Sequence, residues 1–302
     1  MAKLALLHVH SHFSLLAALP KIPDLVAKAE ERGVETLALT DIGNLYGAVE
    51  FYKECKERGI KPILGVDMEL QTGGRVVLLA ENMTGYKNLL RLITKSRMEN
   101  PSGIPLTREL LQEHADGLLA LFTESQTPAE FVTIFDSTHQ YNASEVALPE
   151  IFYLEPKDRS AWETMRAIEH RGASMEGSLT ENDKEYYFPT EEEVVEKYSP
   201  AQLQKTLEIA KRCNVELTIG KFVFPKFPVP EGKTEDELLR ELCLEGLKFR
   251  GLEKSEEALT RLNYELDIIK FKGYAAYFLV VEDLIRFARE KNIYTNIRGS
   301  VA

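Results

Sequence analysis

Two histidines spaced i, i+2, His8 and His10 in the stretch HVHSHFSLL, are the side chains near the start of this chain with the most chemistry in them. The run that carries them, KLALLHVH, is short and apolar in the manner of a buried strand. Residues two apart on a strand point to one face. Two imidazoles on one face at a strand end offer paired nitrogen donors to a divalent cation. A bare HxH carries little specificity, and such a pair in a strand is more often a hydrogen-bonded structural element than a metal site.

The elements that must position such a pair alternate along the first part of the chain. Pro23 and Asp24 open a helix, DLVAKAEERG, which Gly33 closes. VETLALTD is a buried strand, and YGAVEFYKECKERG is an amphipathic helix with Val49, Tyr52, Cys55 and Lys56 along one side. IKPILGVDMEL is again a strand, and Gly73-Gly74 turns it back into RVVLLAE as a hairpin. Thr84 caps the helix GYKNLLRLITKSRME, Thr107 caps RELLQEHADG, and GLLALFT is a further strand. This alternation predicts an α/β layer or barrel with mostly parallel strands.

From 126 to 190 the pattern weakens. FYLEP ends a strand, Pro156 starts the helix DRSAWETMRAIEH with Trp162, Met165 and Ile168 toward a core, and GASMEGSLTENDKE is a polar loop. The helices EEEVVEKY and AQLQKTLEIAKRC follow. FVFPKFPVPEG, with three prolines, reads as a linker. Past it, Thr234 and Glu237 form a capping box for DELLRELCLEGLKFRG, and two more helical stretches precede IYTNI.

Composition narrows the function classes. A chain of 302 residues, 44% hydrophobic and 28% charged, suits one large or two smaller folded domains. The net charge of −11 is unevenly placed: residues 1–225 hold 24 Lys and Arg against 34 Asp and Glu, and residues 226–302 hold 13 against 14. An acidic body disfavours phosphate backbones, so a broad nucleic-acid surface on residues 1–225 is excluded. Cys55, Cys213 and Cys243 are too scattered for a disulfide framework or a metal knot. With no apolar run of membrane-spanning length and no signal peptide, the expected setting is the cytoplasm, without membrane association.

HVHSHFSLL, ALTDIGNLYGAVEFYKECKERGIKPILGVDMEL, RCNVELTIGKFVFPKFPVPEGKTEDELLRELCLEGL and GYAAYFLVVEDLIRFAREKNIYTNIRGSVA together resemble the N-terminal region of the bacterial replicative C-family DNA polymerases, the DNA polymerase III alpha subunits. The resemblance covers nearly the whole chain and is strongest at 1–100 and 205–302. Its first part resembles the polymerase-and-histidinol-phosphatase (PHP) domain, and its last part the beginning of the polymerase palm. Free-standing PHP phosphoesterases share the early motifs and lack the PKFPVPEG segment and the palm-like tail. The implied architecture is a distorted (β/α) barrel over 1–225, lacking one or more strand–helix units between Glu124 and Glu150, then a mainly helical, incomplete palm over 226–302. The family's metal ligands lie at the C-terminal strand ends, the rim where such barrels place their sites.

Carried over residue by residue, the resemblance gives an incomplete ligand set. The family's histidine pair is His8 and His10. Its acidic ligand in the next loop falls at Ala17, its histidine after Thr-Asp falls at Ile42 beside a retained Asp41, and its glutamate falls at Asp67. A further histidine falls at Arg97, a cysteine-type ligand at Glu124, and the late Asp-x-His pair at Glu150 and Phe152. A multi-metal phosphoesterase needs several carboxylates and imidazoles around cations roughly 3.5–4 Å apart. Ile42 and Phe152 cannot ligate, and Arg97 is itself a cation. The expected metal ligands are therefore His8, His10, Asp67 and Glu150, holding at most one weakly bound zinc or manganese ion, with no catalytic residue. Asp41 also reads as a cap or turn acceptor for GNLYG.

Arg298-Gly299-Ser300 resembles the family's motif near the incoming nucleotide's triphosphate. Arg suits phosphate by its planar fork, and glycine lets backbone N–H groups approach. The sequence ends at Ala302, ahead of the palm aspartates that the family uses with magnesium, so the expectation is a fragment or truncated product. Three functions follow. The first is a PHP scaffold or docking module for other replicative polymerase subunits, with DNA and deoxynucleotides met only by the intact polymerase. The second is a residual metal-dependent phosphoesterase or 3′–5′ exonuclease, and the third a stand-alone, non-catalytic binding module.

Overall fold

The computed structural model describes residues 4–99, 105–123, 128–131, 133–169, 185–221 and 223–296; Glu124 and the Arg298-Gly299-Ser300 motif lie outside the described residues. The chain divides into two compact units, Met1–Leu217 and Thr218–Ala302.

The first unit is built on a mixed sheet. Strands β1 (Ala5–Leu6), β3 (Thr36–Leu39), β4 (Lys61–Glu69), β5 (Arg75–Ala80), β6 (Leu118–Phe122) and β7 (Gln140–Asn142) follow that order across a six-stranded sheet, while β2 (His8–Val9) pairs with β8 (Glu150–Ile151) in a separate two-stranded one. The pair is tied to the larger sheet where Thr40, just past β3, exchanges hydrogen bonds with Val9. Pairings β1–β3 and β3–β4 are parallel, as the strand–helix alternation predicts, and β6–β7 and β2–β8 are parallel as well. β5 is antiparallel to both neighbours. Its direction is reversed by the Gly73-Gly74 turn, where both glycines have positive φ, a region that only glycine enters without strain.

Alternation along β5 and β6 sends side chains into two cores, one on each face of the sheet. Val76, Leu78, Leu118 and Ala120 join Leu25, Val26 and Ala29 of α1 (Ile22–Glu31) and Phe51 and Cys55 of α2 (Ala48–Glu57). Val77, Leu79, Leu119 and Leu121 join Ile209 and Ala210 of α7 (Pro200–Arg212). Each such fully buried aliphatic side chain contributes roughly 1.5–3 kcal/mol relative to exposure. The resulting layers hold the rim on which the histidines stand. Between β6 and β8 the described residues hold only the three-residue β7 and no helix, in keeping with the short interval in the sequence.

Four local expectations are corrected. The buried side of α2 is Ala48, Phe51, Tyr52 and Cys55, and Val49 is exposed because it sits one position off that stripe. Helix α3 (Met83–Glu99) is capped by Asn82, whose side chain accepts from the N–H groups of Thr84 and Gly85, so Thr84 is already inside the first turn. In α5 (Arg159–Glu169) Trp162 and Met165 pack inward, whereas Ile168 is exposed. The proline-rich stretch is no free linker where Phe227 packs into the core of the second unit and Phe224 lies edge-on to Tyr274 at 4.8 Å.

The second unit is helical, with α8 (Glu235–Phe249), α9 (Glu256–Lys272) and α10 (Ala275–Glu290) meeting at Leu239, Leu266, Ala275 and Leu279. The expected Thr234–Glu237 capping box opens α8. Gly273 closes α9 in the left-handed conformation.

Candidate metal centre

Three pieces of local structure bring the expected ligands together. β2 ends at the His8-Val9-His10 stretch and sends both imidazoles to one side; β8 lies in parallel register with it, placing Glu150 directly opposite His8. Asp67 comes from the long strand β4, just where the backbone of the Asp41–Gly43 segment bridges onto it. His8, His10, Asp67 and Glu150 thus gather with ligand atoms all within 4.8 Å of one another.

Asp67 is the hub. It is fully buried, and its Oδ2 receives His8 Nε2 at 2.6 Å and His10 Nε2 at 3.2 Å. The other nitrogen of His10, Nδ1, donates to the Ile151 carbonyl at 3.2 Å, which holds the ring with Nε2 toward the centre. That use of a backbone carbonyl to fix ring orientation is how metal-bound histidines are held.

The centre also contains a side chain that the sequence reading did not include. Arg75, the first residue of β5, extends its guanidinium between the two carboxylates. Nε donates to Asp67 Oδ1 at 3.0 Å, Nη2 donates to Asp67 Oδ2, and Nη1 donates to Glu150 Oε1 at 2.7 Å. Nη2 also lies 3.5 Å from His10 Nε2. Burial alone would raise the Asp67 carboxyl, but His8, His10 and Arg75 hold it far below the usual carboxylate range. Glu150 is likewise lowered against its burial by His8 and Arg75, and Arg75 is raised against its own burial by the two carboxylates.

The signal for Arg75 was present in the hairpin. In the β4–β5 register Asp67 faces Val77, so Arg75 is its diagonal neighbour on the same face. Long side chains span that diagonal. Reading the Gly73-Gly74 turn only as a reversal, without working out the register, hides the contact.

The remaining positions of the implied ligand set are apolar or turned to other uses. Ala17, Ile42 and Phe152 join one cluster with Tyr153 and Trp162. Phe152 stacks flat on His10, with centroids 4.4 Å apart and planes at 13°, and Trp162 Nε1 donates to the Ala17 carbonyl at 2.7 Å. The Arg97 guanidinium lies against the backbone of Gly43, whose φ is +62°. Asp41 does not cap GNLYG; Asn44 does, accepting from Tyr46 N–H at 3.1 Å. Instead the Asp41 carboxylate accepts from Ser11 N–H at 2.7 Å, Ser11 Oγ at 2.8 Å and Ser14 Oγ at 2.6 Å. Burial raises this carboxyl despite those three donors.

By donor type the four ligands suit a single zinc- or manganese-class ion. They do not suit it with Arg75 in place, because the guanidinium already bridges the carboxylates that the ion would have to bridge. A cavity of about 280 Å³ opens beside His8 and Glu150, lined further by Tyr187, Glu193 and Lys197.

Residues 7–167 match the PHP domain family. The chain belongs to that family. Residues 237–302 match a second family, described as the bacterial DNA polymerase III alpha NTPase domain. The chain is 33% identical to the DNA polymerase III subunit alpha of Bacillus subtilis, over 98% of this chain and 31% of the relative. It is 34% identical to that of Halalkalibacterium halodurans over the same shares. The Pseudomonas aeruginosa subunit is 31% identical over 95% of this chain and 30% of its own length. The chain therefore spans about a third of the curated relatives it matches. Among solved structures, the lesion-specific endonuclease PfuEndoQ from Pyrococcus furiosus is 14% identical with a TM-score of 0.34, covering 88% of this chain and 82% of that one. Among the described residues, no helix is long and apolar enough to cross a membrane.

Proposed function

We propose that this PHP domain is a non-hydrolytic scaffold at the N-terminal side of a replicative DNA polymerase alpha subunit. The polymerase setting is supported by the two family matches in one chain and by the DNA polymerase III alpha relative that matches 98% of it. The observation that carries the scaffold role is Arg75. A hydrolytic centre of this type needs an ion to lower the pKa of bound water and offset charge on the reacting phosphate. Here a guanidinium, which can neither bind hydroxide as a metal does nor lose a proton at ordinary pH, neutralises the same carboxylates.

In this reading the domain supports the polymerase and offers a docking surface to other replicative subunits. DNA, deoxynucleotides and magnesium are handled by the intact polymerase, where Arg298, Gly299 and Ser300 meet the incoming triphosphate. The acidic balance of residues 1–225 fits a domain that does not itself hold DNA.

The test uses the purified chain with p-nitrophenyl phosphate and with end-labelled single-stranded DNA, in magnesium, manganese or zinc. No release above a His8→Ala, His10→Ala double variant is expected. Metal-dependent release that the double variant abolishes would instead establish the phosphoesterase or exonuclease reading.

A further inference from the structure

We infer that Arg75 is a built-in competitor for a divalent cation, and that removing its guanidinium converts His8, His10, Asp67 and Glu150 into a binding site for one zinc-class ion. The inference rests on the scaffold reading for its setting and goes beyond it by making one side chain the reason that metal is excluded.

The geometry supports the exchange. All three guanidinium nitrogens are used, two on Asp67 and one on Glu150, so the side chain covers the carboxylate oxygens nearest the imidazoles. The strand end that carries Arg75 is pinned independently of the site, because its carbonyl accepts from Thr123 N–H at 3.0 Å and Thr123 Oγ at 2.9 Å. Loss of the guanidinium therefore leaves the backbone where it is. The four donors are separated by at most 4.8 Å, with His8 Nε2 to Glu150 Oε1 at 3.7 Å and to Asp67 Oδ2 at 2.6 Å. Tetrahedral ligands to one zinc ion, each about 2.0–2.2 Å from it, lie roughly 3.3–3.6 Å apart, so the site is completed by side-chain shifts of about 1 Å that open the 2.6 Å His8–Asp67 contact and close the widest separation of 4.8 Å.

An ion in place of the guanidinium would face the same two carboxylates, Asp67 and Glu150, with both imidazoles in reach. The Ile151 carbonyl holds the His10 ring with Nε2 toward the centre, so the ring need not turn to ligate and Nε2 gives up to solvent the proton it shares with Asp67. The cavity beside His8 and Glu150 supplies a way in from solvent. Ala17, Ile42 and Phe152 limit the count to one ion, since none of them has a donor to offer a second.

The experiment compares the full chain, Arg75→Ala, Arg75→Met and the triple variant Arg75→Ala, His8→Ala, His10→Ala. Each is titrated with zinc chloride by calorimetry and followed by thermal unfolding with and without zinc. Expected for Arg75→Ala and Arg75→Met is one zinc ion per chain, bound at least about 100-fold more tightly than by the parent. Zinc at about 100 times its dissociation constant should raise their Tm by roughly 5–10 °C, leaving the parent and the triple variant unmoved. Equal binding by the parent overturns the inference, and so does a folded Arg75→Ala or Arg75→Met that binds no zinc. If both fail to fold even when refolded with zinc, the inference also fails, because the ion is claimed to replace the guanidinium. Hydrolysis by the parent chain would overturn the scaffold reading without deciding who occupies the site, which keeps the two failures distinct.

Discussion

Two adjoining corners of the rim depart in opposite ways from the ligand set that the resemblance implies. Around Asp67 the polar side chains are present and a guanidinium is drawn in among them. Around Phe152 the implied ligands are replaced by Ala17, Ile42 and Phe152 itself, which pack with Trp162 into an apolar plug. His10 belongs to both corners, bonded to Asp67 on one side and stacked on Phe152 on the other. A ligand cluster can thus be closed to an ion by charge substitution or by desolvation. Only the first leaves the donors available. A charge can be withdrawn by one substitution, whereas the plug would need several donors put back together.

The largest effect on stability is expected in the apolar corner. Trp162→Ala removes a mostly buried ring that stacks on Phe152 and donates to the Ala17 carbonyl, and should cost roughly 3–5 kcal/mol in urea unfolding. A cost below about 1 kcal/mol would mean that the plug is a loose covering and the comparison of corners is misdrawn. Next comes Asp67→Ala, which deprives Arg75 and both imidazoles of their shared carboxylate. Breaking a buried pair by removing one partner costs about 3–5 kcal/mol, and the partial exposure of Arg75 places this case near 3 kcal/mol.

Phe152→His tests the apolar corner directly, by placing an imidazole where the resemblance implies one. It should cost about 1–3 kcal/mol, because a polar ring replaces an apolar one among Trp162 and Tyr186. With Arg75 present it should confer no zinc binding by calorimetry. Combined with Arg75→Ala it should still yield one ion per chain, since Ala17 and Ile42 remain without donors. Two ions in that double variant would show that the plug, not the count of ligands, limits occupancy.

Much of this arrangement was legible in the sequence, for reasons that differ by residue. His8 and His10 declare themselves by strand spacing, and the Gly73-Gly74 turn declares the hairpin because few other pairs accept positive φ twice. The identity of Asp67 and Glu150 as partners came from family resemblance, since 83 residues separate them and no local rule joins β4 to β8. Arg75 went unread because its contact depends on register, which one must work out pair by pair. The turn beside Asp41 offers it a local role that Asn44, three residues on, takes instead; only the fold brings Ser11 and Ser14 under the Asp41 carboxylate. Pattern alone puts Val49 and Ile168 inward, whereas both are exposed, Val49 because the buried stripe of α2 runs one position away from it.

The smallest effect is expected at Ser14, which joins the two corners. Its hydroxyl donates to Asp41 at 2.6 Å and accepts from the N–H of Ile42 at 3.0 Å, so one side chain links the loop beyond His10 to the start of the apolar plug. Ser14→Ala removes both bonds but leaves Asp41 its two donors from Ser11. The cost should be about 1–2 kcal/mol, the ordinary range for a buried group left partly unpaired. More informative is how it combines with Trp162→Ala. If the corners are held independently, the two costs add to within about 0.5 kcal/mol; if Ser14 transmits packing from the plug to the histidine loop, the double variant loses measurably less than the sum. Since Ile42 packs in the plug while its N–H is bound to Ser14, the expected result is a coupling of roughly 0.5–1 kcal/mol. Strict additivity in urea unfolding would make the rim two separate structures that merely share His10.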